Sequence, residues 1–193
     1  MLALRIIAGM AKGRRLKTPK GLQTRPTSDR VRESLFNILG SRIIDRPFLD
    51  LFAGSGVLGI EALSRGAARC VFIEKQPRNV RLIRENLAIA GLAELAQVYT
   101  MDVLRGIPVL GRKGEAFSVI TLDPPYGSPI AQRTVDDLVQ WNLCLAGGLI
   151  IIEHSSKDLI EISEDKGFDL WRRESYGGTS LSFFVRRGGD LLR

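Results

Sequence analysis

From residue 48 onward, short apolar segments of strand length alternate with longer segments of helical pattern. The apolar segments are FLDLF, CVFIE, AQVYTM, FSVITL and GLIIIEH. Near-continuous apolar strands that alternate with helices are typical of a parallel sheet covered on both faces. The last two strand-like segments, FDLWRRESY and TSLSFFVRR, are joined by Gly177-Gly178 and predict an antiparallel hairpin. We therefore predict a doubly wound, mostly parallel, seven-stranded α/β sheet that ends in this hairpin.

The residues before this alternation follow a different pattern. The glycine-bounded turn AGMAKG separates the apolar segment LRII from RRLKTP, which predicts a small β-hairpin. The following segment, TSDRVRESLFNILG, has an apolar stripe at helical spacing, and Ser28 or Asp29 is a suitable N-cap. We predict two regions: an N-terminal extension of hairpin plus helix over residues 1–47, and an α/β domain over residues 48–193.

The net charge of +7 comes entirely from the first quarter of the chain. Residues 1–48 contain 11 lysines and arginines against 3 acids, whereas the rest of the chain contains 17 against 18. A solvated basic tail would explain this bias, but binding of a polyanion is the stronger interpretation, because cations that neutralise phosphates release counterions. The candidate RNA contacts in the extension are Lys12, Arg14, Arg15, Lys17, Arg25, Arg30 and Arg32.

The composition also argues against several kinds of site and location. No apolar run approaches the roughly 20 residues of a membrane span, and the first residues lack the order of a signal peptide, so we expect a cytoplasmic protein. Cys70 and Cys144 lie in apolar segments without a CxxC pattern, which indicates buried, reduced thiols. His154 is the only histidine, so a multi-histidine metal site is excluded and we expect no metal.

Acidic residues occur at the ends of the first four predicted parallel strands: Asp50, Glu74, Asp102 and Asp123. In open α/β sheets, ligands bind beyond the carboxyl ends of the strands. The GSG turn after the first strand allows close approach of the backbone, and the next helix offers its N-terminus. Each acid alone could be a helix N-cap, but four of them at successive strand ends predict a ligand site.

The order DLFAGSG, FIE, MD and DPPY resembles the class I methyltransferases that use S-adenosylmethionine. The resemblance covers residues 48–187 and implies a Rossmann-like sheet with S-adenosylmethionine as cofactor. We expect Glu74 to accept hydrogen bonds from ribose hydroxyls and Asp102 to meet the adenine amino group. The cofactor contacts that the resemblance implies are Asp50, Phe52, Ala53, Gly54, Ser55, Gly56, Glu74, Lys75, Asp102, Val103 and Asp123.

Three further segments narrow the resemblance. RIIAGMAKGRRL, RPTSDRVRESLFNIL and YGGTSLSFF are similar to segments of the bacterial methyltransferases that modify guanine N2 in 16S rRNA. With them, the resemblance spans nearly the whole chain. It implies an enzyme that methylates the exocyclic N2 of a guanine in 16S rRNA, within the 30S subunit or its assembly intermediate. We expect the enzyme to act as a monomer.

The segment TLDPPYG contains the residues expected to be catalytic. Alone, Asp-Pro after a strand is a common turn. For a methyltransferase, Asp123 and the Pro124 carbonyl can accept the two N–H groups of a guanine amino group, while Pro125 stiffens the turn. Tyr126 can stack on a base that is flipped out of its RNA. The cofactor's sulfonium is already activated, so this chemistry needs no metal.

The sequence leaves three other functions open. The first two are amino methylation of adenine or cytosine in DNA, and amide methylation of a protein glutamine. DNA enzymes usually carry an extra recognition domain, for which 193 residues leave no room, and glutamine enzymes usually have Asn in place of Asp123. The third is a non-catalytic RNA-binding module for ribosome assembly, which the intact DPPY turn disfavours.

Overall fold

The fold is described by a computed structural model over residues 4–18 and 26–188, with side chains omitted for residues 26–29. Seven strands form one sheet in the order β3-β2-β1-β4-β5-β7-β6. The strands β1 to β5 are parallel, and β7 is antiparallel to both of its neighbours, β5 and β6. The predicted sheet and its C-terminal hairpin are confirmed. The strands are β1 Pro47–Leu51, β2 Arg69–Glu74, β3 Ala96–Thr100, β4 Phe117–Leu122, β5 Cys144–Ser155, β6 Phe168–Tyr176 and β7 Thr179–Arg186.

Five α-helices in the described residues cover the sheet. The predicted helix of the extension begins at Pro26, so the two proposed cap residues lie inside its first turn and the N-cap prediction is wrong. Proline suits the first helical position because its fixed φ is already helical. The helices are α1 Pro26–Leu39, α2 Val57–Ser64, α3 Pro77–Ala90, α4 Val103–Arg112 and α5 Ile130–Gln140. None of the helices in this part of the chain is long and apolar enough to cross a membrane.

The sequence pattern did not predict α4. This helix contains Gly106, Pro108 and Gly111, which normally argue against a helix interior. The glycines have a packing reason, because an added Cβ would lie 2.5 Å from an Ile73 atom at Gly106 and 2.5 Å from a Trp141 atom at Gly111. Close approach to β2 and to the end of α5 therefore compensates for the low helix propensity.

The two faces of the sheet have separate apolar cores. On one face, side chains of α1, α2 and α3 pack with alternate strand residues such as Phe48 and Phe72. On the other face, α4 and α5 pack with the intervening residues, such as Leu49 and Val71. Because successive strand residues point to opposite faces, this alternation builds both layers from one run of apolar residues.

The N-terminal extension belongs to the first of these cores. Its hairpin is confirmed in outline. Around an antiparallel bridge between Arg5 and Arg15, Ile6 N–H donates to the Arg14 carbonyl at 3.1 Å and Leu16 N–H donates to the Leu4 carbonyl at 2.8 Å. The turn docks on the end of α2, where Met10 N–H donates to the Ser64 carbonyl at 2.8 Å. Gly9, at φ 83°, allows this approach, since an added Cβ would lie 1.8 Å from the Ser64 oxygen.

Candidate active site

The strand order reverses between β1 and β4, and a cleft of about 730 Å³ opens at the carboxyl ends of the strands near this point. This is where open α/β sheets bind ligands, and the volume lies within the roughly 300–1,000 Å³ of small-molecule sites. Nine of the predicted site residues line the cleft, and four further residues complete it. The lining residues are Phe52, Glu74, Lys75, Gln76, Asn79, Asp102, Val103, Asp123, Pro124, Pro125, Tyr126, Ser128 and Ile130.

Glu74 ties two loops of the cleft together. Its carboxylate accepts hydrogen bonds from Gly54 N–H at 2.9 Å and from Gln76 N–H at 2.7 Å. The side chain is buried and still borders the cleft. Each carboxylate oxygen has a second lone pair, so Glu74 can also accept from a ligand hydroxyl. Its position at the end of β2 thus serves both the loops and the expected ribose contact.

Asp50 occupies a different place from the one expected. Its buried carboxylate accepts hydrogen bonds from Gly59 N–H at 3.0 Å and from the Thr121 hydroxyl at 3.2 Å, and it does not line the cleft. Burial raises the pKa of Asp50 to about 7, and the charge of Glu74 adds to the effect. The Asp50 carboxylate therefore lies beneath the loop that follows β1 and stabilises it, and it does not face the cleft.

The loop after β1 has a left-handed backbone at three positions. Phe52 has φ 58°, which is strained for a residue with a side chain, and Gly54 and Gly56 have φ 56° and 76°. Of the predicted loop contacts, only Phe52 lines the cleft. Ala53, Gly54, Ser55 and Gly56 form the turn behind it, which leads into α2.

Asp102, which follows β3, both caps a helix and borders the cleft. Asp102 is the N-cap of α4, and its Oδ1 accepts from Leu104 N–H at 3.0 Å. Asp102 and Val103 also line the cleft, on the side of Lys75. Asp102 can cap α4 and bind a ligand at the same time, because its Oδ2 makes no hydrogen bond to the described residues.

Asp123 lies at the end of β4, facing the cleft. The residue is exposed at the cleft, while the protein groups around its carboxylate partly desolvate it, and this desolvation raises its pKa to about 7. The charges of Glu153 and Asp50 add to the effect. Within residues 4–18 and 26–188, no donor forms a hydrogen bond with this carboxylate, so its acceptor capacity is free for a ligand.

Tyr126 is held by two residues that the sequence reasoning missed. Its hydroxyl donates to Glu153 Oε1 at 3.0 Å and lies 2.9 Å from Thr179 Oγ1, while half of the side chain remains exposed. Burial raises the pKa of Tyr126 to about 12, and burial also raises the pKa of Glu153. Thr179 lies in the segment YGGTSLSFF, whose resemblance to the guanine-N2 enzymes was the available signal.

Asn86 is a third residue that the sequence reasoning missed. It is fully buried in α3, where its side chain accepts from Lys17 N–H at 2.8 Å. It donates to the Lys17 carbonyl at 3.1 Å and to the Ser55 carbonyl at 3.0 Å. Asn86 therefore connects the N-terminal hairpin with the glycine turn of the cleft. Its polar side chain at a core position, three residues after Ile83, was the signal.

The predicted RNA contacts differ in their availability. Four of the hairpin residues are exposed, but Arg14 donates to the Ile89 carbonyl at 2.7 Å and Lys17 forms a 2.8 Å salt bridge with Glu85. Arg32 is 4% exposed and donates to the Arg5 carbonyl at 3.1 Å, so its assignment as a surface contact is wrong. Lys12, Arg15 and Arg30 are exposed, and Arg25 lies outside the described residues.

The remaining chemically distinctive residues lie away from the cleft. Both cysteines are buried and free, as expected. His154 is buried in β5, where its ring nitrogens lie 2.8 Å from the Ser155 carbonyl and 2.8 Å from the Ser182 hydroxyl. These contacts and the lowered pKa that burial gives His154 are typical of a structural residue. In the described part of the chain, no group of three acidic, cysteine or histidine side chains could hold a metal ion.

Comparison with known proteins assigns the chain to a family. A family profile described as "Conserved hypothetical protein 95" matches residues 4–185. The ribosomal RNA small subunit methyltransferase D of Escherichia coli K12 is 39% identical over 185 residues, which cover 95% of this chain and 90% of that protein. The chain belongs to this methyltransferase family. The methyltransferase D of Haemophilus influenzae is 36% identical, with 78% of each chain covered.

Solved structures show the same fold. A hypothetical protein from Thermus thermophilus superposes with a TM-score of 0.79 at 34% identity, over 93% of this chain and 98% of that one. An RNA methyltransferase from Salinibacter ruber, solved with S-adenosyl-L-homocysteine, superposes at 0.62 with 19% identity, over 91% and 96% of the two chains. The second likeness is one of fold. Methyltransferases of this architecture thus share the sheet whose carboxyl edge forms the cleft described above.

Proposed function

We propose that the protein transfers a methyl group from S-adenosylmethionine to the exocyclic N2 of a guanine in 16S rRNA. The observation that carries this proposal is Asp123, a carboxylate without a hydrogen-bond donor among the described residues, at the mouth of a cleft beside a half-exposed Tyr126. The names of the relatives point to the same class of substrate.

The donor set of the cleft suits S-adenosylmethionine. Glu74 and Asp102 offer carboxylate oxygens at two neighbouring strand ends for hydroxyl and amino groups. Phe52 and Val103 supply apolar surface for a flat base, and the turn from Ala53 to Gly56 places backbone groups beside them. When bound, S-adenosylmethionine supplies a methyl group on a positively charged sulfur.

Asp123 and the Pro124 carbonyl are the proposed acceptors for the guanine amino group. The lone pair of this nitrogen is delocalised into the ring, so the amino group is a poor nucleophile. Two acceptors favour a pyramidal nitrogen, and this interaction strengthens toward the transition state. As the bond from nitrogen to the methyl carbon forms, the bond from that carbon to sulfur breaks and S-adenosyl-L-homocysteine leaves. Asp123 can take the proton that the nitrogen releases, because its pKa of about 7 lies near the working pH.

Tyr126 and Pro125 are proposed to position the base. The Tyr126 hydroxyl is anchored by Glu153 and Thr179, which leaves the ring available for stacking in the cleft. A base that is flipped out of its RNA is commonly read by stacking and edge contacts of this kind. Holding both reactants in this arrangement supplies much of the rate.

The proposal includes a division of labour along the chain and a cellular context. Residues 1–47 bind RNA and residues 48–193 carry out methyl transfer, although hairpin and sheet share one apolar core. The substrate is the 30S subunit or its assembly intermediate, in the cytoplasm, and the enzyme acts as a monomer. The excess of positive charge in the extension supports this view, since RNA contact requires neutralisation of phosphates.

Methyl transfer from tritiated S-adenosylmethionine tests the proposal. Purified 30S subunits, naked 16S rRNA, double-stranded DNA and a glutamine-containing protein would be offered in parallel. We expect label in the RNA of 30S subunits and none in DNA or protein. Label in DNA or protein would support an alternative amino methyltransferase, and binding of RNA without transfer would support a non-catalytic module.

A further inference from the structure

The basic hairpin and the cleft lie at opposite ends of α3. The cleft is bordered by Gln76 and Asn79 at the start of this helix, whereas Arg14 of the hairpin contacts the Ile89 carbonyl in its last turn. At 1.5 Å per residue, Asn79 and Ile89 are separated by about 15 Å. An RNA held by the hairpin must therefore cross this distance to place a base beside Asp123.

The surface of α3 between these two points is positively charged. Arg78, Arg81 and Arg84 are exposed, and they lie within a sector of about 120° at 100° per residue. In the described part of the chain, none of the three forms a salt bridge. The one acid of α3, Glu85, is already paired with Lys17 of the hairpin.

We propose that Arg78, Arg81 and Arg84 form an RNA-binding track from the hairpin to the cleft; the inference rests on the proposed RNA methyltransferase function. Lys75, which lines the cleft one turn before Arg78, continues the track to the site. At the other end, Lys17 is anchored on Glu85. The occupant is the sugar–phosphate backbone of the RNA segment that carries the target guanine.

A comparison with α5 argues against a merely solvating role for these arginines. The exposed face of α5, on the opposite side of the sheet, carries Arg133, Asp136 and Gln140, a mixture without excess positive charge. A basic surface is therefore not common to every exposed helix face of this protein. The three arginines repel one another, because no acidic side chain on the helix pairs with them, and this repulsion destabilises the helix. Bound phosphates would neutralise the arginines and remove the repulsion.

The track is tested by replacing its three arginines with glutamine, which keeps helix propensity and removes the charge. The matched control replaces Arg112, Lys113 and Lys166 with glutamine. These residues are exposed. Arg112 and Lys113 lie at the end of α4, before β4, and Lys166 lies just before β6, so all three are at the amino-terminal edge of the sheet, away from the cleft. Both variants lose the same number of positive charges, so a general charge effect would appear in both.

We expect the track variant to raise KM for 30S subunits at least about tenfold at low salt, with kcat changed less than twofold and cofactor affinity unchanged. The salt dependence of binding to a 20-nucleotide single-stranded RNA should weaken, with the slope reduced by about 2 for three contacts at about 0.7 each. The control variant should match the parent. A parental KM and a parental salt slope in the track variant would overturn the inference.

A third variant separates this inference from the proposed function. Arg14, Arg15 and Lys17 of the hairpin would be replaced by glutamate and assayed in the same way. Loss of RNA binding in the hairpin variant alone would leave the proposed function standing and refute only the track. Parental RNA binding by both variants would refute the track and also the proposed role of the extension.

Discussion

Glu74 and Asp123 are carboxylates at the ends of two strands that border the same cleft, yet their surroundings are opposite. Glu74 is buried and accepts two backbone N–H groups, which fixes its position before any ligand arrives. Asp123 has no donor among the described residues, and desolvation raises its pKa to about 7. Backbone N–H groups of the protein fix the Glu74 carboxylate in place, whereas the Asp123 carboxylate can accept hydrogen bonds from a substrate.

Two carboxylates at the same sheet edge can therefore have separate roles, one in cofactor binding and the other in methyl transfer. A carboxylate that is satisfied by backbone donors holds its geometry and contributes similarly in the ground state and the transition state. A carboxylate without donors gains most when a reacting group supplies its hydrogen bonds. Mutations at Glu74 should therefore act on affinity, and mutations at Asp123 should act on turnover.

The largest expected effect is that of Asp123→Ala. Loss of an acceptor that strengthens in the transition state should lower kcat by about 10²–10³-fold, by analogy with the removal of other transition-state hydrogen bonds. Affinity for S-adenosylmethionine should change little, as measured by calorimetric titration. Single-turnover methylation of 30S subunits gives the rate.

Asp123→Asn is the control for this change. It keeps the size and one carbonyl acceptor but loses the charge, so it should be slow and yet faster than the alanine variant. Equal rates for the two variants would mean that only the negative charge matters. A parental rate for Asp123→Ala would make the DPPY turn a simple strand-ending turn.

Glu74→Ala should have the next largest effect. Loss of charge-assisted hydrogen bonds should weaken S-adenosylmethionine binding by about 1–3 kcal/mol in calorimetric titration. Gly54 N–H and Gln76 N–H also lose their acceptor, so the melting temperature should fall as well. Glu74→Gln retains one oxygen and should lie between the parent and alanine. Unchanged cofactor affinity in both variants would remove Glu74 from the cofactor site.

The raised pKa of Asp123 predicts a pH dependence of activity. If the carboxylate form is required, kcat/KM for the cofactor should rise about tenfold from pH 6 to pH 8, with a midpoint near 7. The unfolded chain loses the protons of Asp50 and Asp123 near pH 4, whereas the folded state keeps them until about pH 7. The free energy of unfolding should therefore fall as the pH rises from about 4 to 7. In Asp123→Asn, the activity midpoint near 7 should disappear. A midpoint that persists would assign the titration to another group.

Tyr126→Phe should have the smallest effect, since stacking needs the ring and not the hydroxyl. Turnover should fall by less than about fivefold, because the ring is retained and only the hydroxyl contacts with Glu153 and Thr179 are lost. Tyr126→Ala should cost about 1–3 kcal/mol in binding of the substrate, through lost stacking. Steady-state assays with 30S subunits measure both. Equal losses in the two variants would contradict a stacking role and point to the contacts with Glu153 and Thr179.

The residues at strand ends could be predicted from the sequence because each has a local signature. Asp102, Asp123 and Glu74 each follow an apolar run, and parallel strands bring their carboxyl ends to one edge. The same reasoning predicted a cofactor contact for Asp50, whose buried carboxylate instead accepts hydrogen bonds from Gly59 and Thr121. The pattern identifies the strand but not whether a side chain points into the cleft or beneath its floor.

Features that depend on tertiary packing had no comparable signature. The contacts of Asn86 join residues separated by 31 and 69 positions, and those of Tyr126 join it to β5 and β7. Arg32 was predicted to contact RNA because it lies near the entry of the predicted helix or on its polar side. The structure buries it, and its side chain donates to the Arg5 carbonyl of the hairpin. The sequence reasoning missed helix α4 because its glycines and proline have low helix propensity. The packing that compensates for this low propensity has no local sequence signature.

Nucleoside analysis of 16S rRNA tests the central claim most directly. Unmethylated 30S subunits would be treated with the parent enzyme or with Asp123→Ala, and the digested RNA would be examined by mass spectrometry. We expect one N2-methylguanosine with the parent and a yield at least about 100-fold lower at equal early times with the variant. A methyl group on an adenine, a cytosine or a ring nitrogen of guanine, or equal yields from the two enzymes, would contradict it.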